Sequence, residues 1–204
     1  MKPSLSRRGF LLSAASATSL PLLPFLPGSA AAQTGTPPNL DVPFVPTPQE
    51  VVDRMLTLAK VGSGDLLYDL GCGDGRIVVT AARAYRTRGV GFDLNPERIA
   101  EARANAHKAG VDKLASFQLA NLFDTDLSPA SVVTLYLLPT VNVKLRPRLW
   151  QQLKVGSRVV SHAFDMGAEW PPDQTVDVGG RTVYLWTVGP AQKTAAATRI
   201  DTKA

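Results

Sequence analysis

One segment constrains this chain more than any other: Asp69-Leu70-Gly71-Cys72-Gly73-Asp74-Gly75. It follows a short apolar run from Asp65 to Leu70. It precedes a helical pattern from Arg76 to Tyr85, in which Ile77, Val78, Ala81 and Ala82 fall on one face. Glycines spaced this way between a strand and a helix let the chain turn sharply, so that backbone amides can lie against a ligand at the helix terminus. This is the setting a nucleotide-binding glycine loop requires.

The rest of the chain repeats the same alternation. Thr47-Pro48-Gln49-Glu50 reads as a capping box, with Thr47 as the cap and Pro48 at the first helical position, opening a helix through about Ala59. Gly89 to Asp93 is expected to be a strand, Pro96 to Lys108 an alanine-rich helix closing at Gly110, and Ser116 to Leu119 a third strand. Val132 to Leu138 is almost uniformly apolar, as in a strand covered on both faces at the centre of a parallel sheet. Val141 to Leu153 predicts a helix that Pro147 bends or delays, and Arg158 to Ala163 a fifth strand. Finally, Thr175 to Val178 and Arg181 to Val188 flank Gly179-Gly180, a two-residue turn suited to an antiparallel hairpin. The pattern is α/β, mostly parallel, finished by a hairpin.

Two ligands compete for the glycine loop. A dinucleotide prefers G-x-G-x-x-G for its pyrophosphate, whereas this loop is G-x-G-x-G with an acid two residues before it; the spacing favours S-adenosylmethionine. Asp93, 22 residues after Gly71, supplies a carboxylate able to accept two O–H bonds from a diol. Cys72 is the only cysteine, so no disulfide or thiolate metal cage can be built within the chain, and no metal is expected. Cys72 itself reads as a packing residue.

With these residues the chain resembles the class I, seven-stranded S-adenosylmethionine-dependent methyltransferases from Thr47 through Val188. The resemblance implies a Rossmann-like seven-stranded sheet, mostly parallel with a C-terminal antiparallel hairpin. It implies that Asp69 lies near the methionine end of the cofactor, that the loop glycines Gly71, Gly73 and Gly75 serve the cofactor, and that Asp93 binds both ribose hydroxyls. An acid usually accepts a bond from adenine after the third strand; here the segment is Ala120-Asn121-Leu122-Phe123, so Asn121 and its neighbour Leu122 take that place. A narrower similarity is to the lysine N-methyltransferases that modify the ATP synthase c subunit and the adenine nucleotide translocase. It is carried by Phe44-Val45-Pro46-Thr47, the glycine loop and Gly91-Phe92-Asp93-Leu94-Asn95-Pro96. In those enzymes the proline-threonine segment folds over the cofactor, which makes Thr47 a candidate contact. Leu135-Tyr136-Leu137-Leu138-Pro139 matches their substrate-side motif only loosely.

On the acceptor side, Tyr136 and His162 are the catalytic candidates, and no residue type or spacing identifies a base. Asp165 and Glu169 read as solvated loop acids. The acceptor implied by the narrower resemblance is a lysine in a protein, with a small molecule as the alternative. A binding module that holds the cofactor without transferring methyl is a rival class, and a nicotinamide-dependent oxidoreductase is disfavoured by the loop spacing.

The net charge of +5 would suggest a nucleic-acid partner if it were spread over the domain. It is not: Lys2, Arg7 and Arg8 precede residue 33, Lys193, Arg199 and Lys203 follow residue 189 against Asp201 alone, and the stretch between is neutral. No nucleic-acid binding is expected. Ser6-Arg7-Arg8-Gly9-Phe10-Leu11-Leu12 matches a twin-arginine export signal, and Ala30-Ala31-Ala32 a cleavage site. The expected organisation is a signal peptide over residues 1–32, a proline-rich linker over 33–46, the methyltransferase domain over 47–188 and a disordered tail over 189–204. The expected location is the periplasm, the alternative being cytoplasmic or membrane-tethered if the signal is not cleaved, with membrane contact expected only through the signal or a membrane-associated acceptor.

Overall fold

The structure, a computed structural model, describes residues 44–201, with side chains to residue 198. The signal peptide and most of the linker lie outside these residues. In chain order the elements are α1 (Gln49–Leu58), β1 (Leu66–Leu70), α2 (Arg76–Tyr85), β2 (Arg88–Asp93), α3 (Pro96–Lys108), β3 (Ala115–Leu119), β4 (Val132–Leu135), α4 (Pro139–Gln152), β5 (Arg158–His162), β6 (Gln174–Val178), β7 (Arg181–Thr187) and α5 (Pro190–Asp201). The strands form one seven-stranded sheet in the order β3-β2-β1-β4-β5-β7-β6. All neighbours are parallel except β5–β7 and β6–β7.

The apolar runs explain the layers. Successive strand residues point to opposite faces, and here each face meets helices. Leu67, Val132 and Val160 pack with Val51, Ile77 and Ile99 of α1, α2 and α3. Tyr68, Val133 and Val159 pack on the other face with Leu145 and Leu149 of α4 and with Trp186. The chain enters the sheet at β1, runs outward through β2 and β3, and returns on the other side of β1 as β4. That reversal opens a crevice at the carboxyl ends of the strands, the place where open α/β sheets bind ligands.

The expected architecture holds, with four local differences. Thr47 does not cap α1: the cap position is Pro48, with no side-chain cap bond, and the Thr47 hydroxyl meets His162 instead. β4 stops at Leu135 rather than Leu138, because residues 136–138 turn away to start α4 with Pro139 in its first turn. Pro147 lies inside α4 and does not delay its start.

The tail expected to be disordered forms α5. The Lys193 ammonium donates to the carbonyls of Trp150, Gln151 and Leu153 at 2.9, 2.7 and 2.7 Å. These are carbonyls at the end of α4, which have no partners within their own helix, where a cation is favoured. Ala196 is buried in the core against that same face.

Candidate active site

A cavity of about 680 Å³ occupies the crevice, with Thr47, Asp69, Gly71, Asp93, Asn121 and Tyr136 in its wall. The glycine loop is tied to the end of β2: the amides of Gly71 and Cys72 both donate to the Phe92 carbonyl, at 2.8 and 2.9 Å. Asp93 braces the same loop, one carboxylate oxygen accepting from the Gly73 amide and the other from the Asn95 amide, each at 2.9 Å. Each oxygen keeps a second lone pair, so the carboxylate can still receive two hydroxyls from the cavity.

The loop glycines divide by direction. Gly71, Gly73 and Gly75 have φ of 80°, 52° and 78°, the left-handed region that favours glycine. A Cβ on Gly71 would stand 2.8 Å from Leu137, and one on Gly73 would stand 2.1 Å from the Phe44 ring. A Cβ on Gly75 would instead strike Phe117 at 2.6 Å and Ala102 at 2.8 Å. Gly71 thus lies in the cavity wall, whereas Gly73 is covered by the Phe44 ring and Gly75 faces the core side of the loop.

The electrostatics are acidic. Asp69 is 2% exposed and accepts a 2.6 Å bond from the Thr134 hydroxyl. Burial above all, with the neighbouring Asp93 and Asp74 adding to it against the Thr134 bond, pushes its pKa up to about 7. Asp74 is held by the Arg76 guanidinium, whose Nε reaches both carboxylate oxygens at 2.9 and 3.1 Å while Nη1 donates to the Thr47 carbonyl at 2.8 Å. Among the described residues no Lys or Arg pairs with Asp69 or Asp93. A buried carboxyl beside a second carboxylate suits a ligand that brings positive charge and a diol. S-adenosylmethionine carries both, and the donor set therefore fits it.

On the acceptor side Tyr136 reaches the cavity and His162 does not. The His162 ring, 3% exposed, packs against Tyr136 with centroids 4.0 Å apart, and its Nδ1 lies 3.3 Å from the Thr47 hydroxyl. Burial, helped by Arg181, lowers its pKa to about 4, so it is neutral near pH 7. Asn121 and Leu122 both reach the wall, although the Asn121 amide oxygen already accepts from the Phe123 amide at 3.0 Å. Burial raises the Cys72 thiol pKa, which excludes a thiolate there at neutral pH.

Two contributors were not among the site residues named from the sequence, although Phe44 lay in the motif that carries the narrower resemblance. Phe44 belongs to the segment assigned to the linker, yet it covers Gly73 and carries the Arg98 guanidinium 5.0 Å from its ring centroid. Arg76 is the other; an acid and a base two residues apart at a helix start were the available signal for its pairing with Asp74.

Residues 69–174 match the ANTKMT methyltransferase domain family. The chain is 49% identical over 153 residues to a protein-lysine N-methyltransferase of Saccharolobus islandicus, covering 72% of this chain and 94% of that one. It is 32% identical over 168 residues to the adenine nucleotide translocase lysine N-methyltransferase of Mus musculus, covering 82% of this chain and 72% of that one. Among solved structures, an RNA methyltransferase from Salinibacter ruber in complex with S-adenosyl-L-homocysteine superposes with a TM-score of 0.70 at 58% identity, covering 72% of this chain and 95% of that one. With its glycine loop and paired acids facing one cavity, and with matches of this extent, the chain belongs to the ANTKMT methyltransferase domain family.

Proposed function

We propose that this S-adenosylmethionine-dependent methyltransferase transfers methyl to the ε-amine of a lysine in a protein. The observation that carries the reading is the acid pair Asp69 and Asp93, with no Lys or Arg on either among the described residues, in a cavity that Tyr136 also lines, on a chain half identical to a protein-lysine N-methyltransferase. In this reading Asp93 takes the ribose hydroxyls and Asp69 the cationic methionine end. Gly71 gives the backbone close approach, Gly73 lets the Phe44 ring close over the loop, Asn121 and Leu122 lie at the adenine, and the Thr47 hydroxyl lies within reach of the cofactor. Gly75 serves the loop from its packed side.

When bound, the cofactor supplies an electrophilic methyl group on a sulfonium. The chain's own work is then positioning and the exclusion of water, with Phe44 and Val45 closing one wall and Tyr136 another. Only a neutral amine attacks, so the lysine must arrive without its proton. No side chain in the wall is assigned as its base.

A second reading has one specific observation behind it: the Salinibacter ruber neighbour is described as an RNA methyltransferase. The neutral charge of residues 33–189 weighs against a polyanionic acceptor. One experiment separates the two. With radiolabelled S-adenosylmethionine and extracts of a strain lacking the protein, the lysine reading expects protease-sensitive label that hydrolyses to methyllysine. Label removed by ribonuclease, or found only in lipids or small metabolites, would overturn it.

The export proposal stands on Ser6 to Leu12 and Ala30-Ala31-Ala32. Replacing Arg7 and Arg8 by lysine keeps the charge and should block export of a fused reporter to the periplasm. Equal export of both leaders would contradict the twin-arginine route.

A further inference from the structure

Three residues from distant parts of the chain meet behind the acceptor wall. Thr47 arrives from the segment before α1, Tyr136 follows β4, and His162 ends β5. Thr47 and Tyr136 both reach the cavity, and His162 reaches both of them without reaching it. An imidazole placed so cannot touch the reacting atoms. It joins a residue of the donor side to a residue of the acceptor side.

The backbone around His162 is held in an uncommon form. Ala163 has φ of 66°, a left-handed conformation that an alanine side chain disfavours. The Phe164 amide donates to the His162 carbonyl at 2.9 Å, closing a three-residue turn. The turn is pinned from outside: the Phe164 carbonyl accepts from the Ser161 hydroxyl at 2.7 Å and from the buried Asn142 amide at 3.1 Å, and the Ala163 amide donates to Thr182 at 2.8 Å. The Phe164 ring then lies within 15° of parallel to Tyr136, at 6.4 Å. Strain of this kind persists only where its surroundings over-determine it, and here it delivers two rings to one tyrosine.

We infer that His162 is a positioning residue that couples Thr47 to Tyr136 and so sets the aromatic wall against which the acceptor is held. The inference rests on the methyltransferase reading for what that wall faces. The coupling extends toward the donor side, because Arg76 grips the Thr47 carbonyl while pairing with Asp74 of the glycine loop. His162 acts as a neutral spacer, not as a base.

The test reads Tyr136 itself. The chain has four tyrosines, and with their rings carbon-13 labelled the Tyr136 signals are assigned from Tyr136→Phe. In ligand-free protein, His162→Phe and Thr47→Val should each shift and broaden the Tyr136 signals while Tyr68, Tyr85 and Tyr184 stay in place. With extracts of a strain lacking the protein as acceptor, His162→Phe should lose on the order of tenfold in the rate of methyl transfer, as expected of a misplaced wall. Unmoved Tyr136 signals in both variants would overturn the inference, as would equal movement of all four tyrosines, the mark of a role in the fold at large. Failure of the wild-type protein to bind S-adenosylhomocysteine would sink the functional reading instead, and the ligand-free ring signals would still decide the role of His162.

Discussion

The Thr134 hydroxyl donates a 2.6 Å bond to the Asp69 carboxyl, the most deeply buried acid beside the cavity. Because burial holds the Asp69 pKa near 7, this group changes charge close to neutral pH. A cation bound beside it favours the ionised form. Affinity for S-adenosylmethionine should therefore rise with pH through about 7 and then level off, by up to about tenfold per unit on the acid side. Asp69→Asn should flatten the profile, and Thr134→Val, which removes the bond that favours the carboxylate, should move the rise to higher pH. In the ligand-free protein the sign is opposite. The folded pKa lies above the reference value of 3.8, so stability from protonated Asp69 is full below about pH 4 and is lost as pH rises through about 7. Calorimetry at three pH values checks the first claim; a flat wild-type profile would remove Asp69 from the cationic end of the ligand.

Asp93→Ala should weaken S-adenosylhomocysteine binding by about 1.5–3 kcal/mol, the scale of hydrogen bonds to a charged group. The carboxylate also receives the Gly73 and Asn95 amides, so melting should fall with it. Unchanged affinity would take the ribose away from Asp93.

Gly73→Ala should act through Phe44, since the added Cβ would stand 2.1 Å from that ring. Binding should weaken, and Phe44→Ala should recover part of the loss by making room, a non-additivity that a double-mutant cycle measures. The left-handed backbone should separately cost about 1–2 kcal/mol of stability, read by unfolding rather than by affinity. Strict additivity would mean that the collision with Phe44 is not the cause.

Lys193→Met should destabilise the domain by about 1–2 kcal/mol in urea unfolding, because it removes an ammonium shared by three carbonyls at the end of α4. The change lies on the α4–α5 face, so cofactor affinity should be unaffected. No loss of stability would reduce α5 to an ornament of the tail.

The fold was legible because its signals are local. Strands of four to seven residues, glycine turns and the helix opened by Asn95, whose side chain accepts from the Glu97 and Arg98 amides, can all be read within a few positions. What escaped depends on partners far along the chain. Thr47 fits a helix cap by sequence, yet its hydroxyl goes to His162, 115 residues away. The tail looks polar and free until Lys193 finds the end of α4, some 40 residues earlier in sequence. Phe44 sits in a proline-rich stretch, and nothing nearby reveals that a bare glycine at position 73 is shaped to receive it. The acids of the site were legible by spacing; the pKa of Asp69 was not, because it depends on how completely the sheet excludes water from it.

Phe117 gives the glycine signature a second meaning. Its ring fills the space that a Cβ on Gly75 or on Gly91 would need, at 2.6 Å in both cases. One glycine of the loop and one of β2 thus form a mould for one phenylalanine. A descendant that lost its chemistry would still face a steric demand at Gly75 and Gly91 for as long as Phe117 remained, and at Gly73 for as long as Phe44 did. In such a lineage the glycine pattern would outlive the reaction it serves, and the acids that face the cavity, Asp69 and Asp93, would be the part that records whether methyl transfer is still selected.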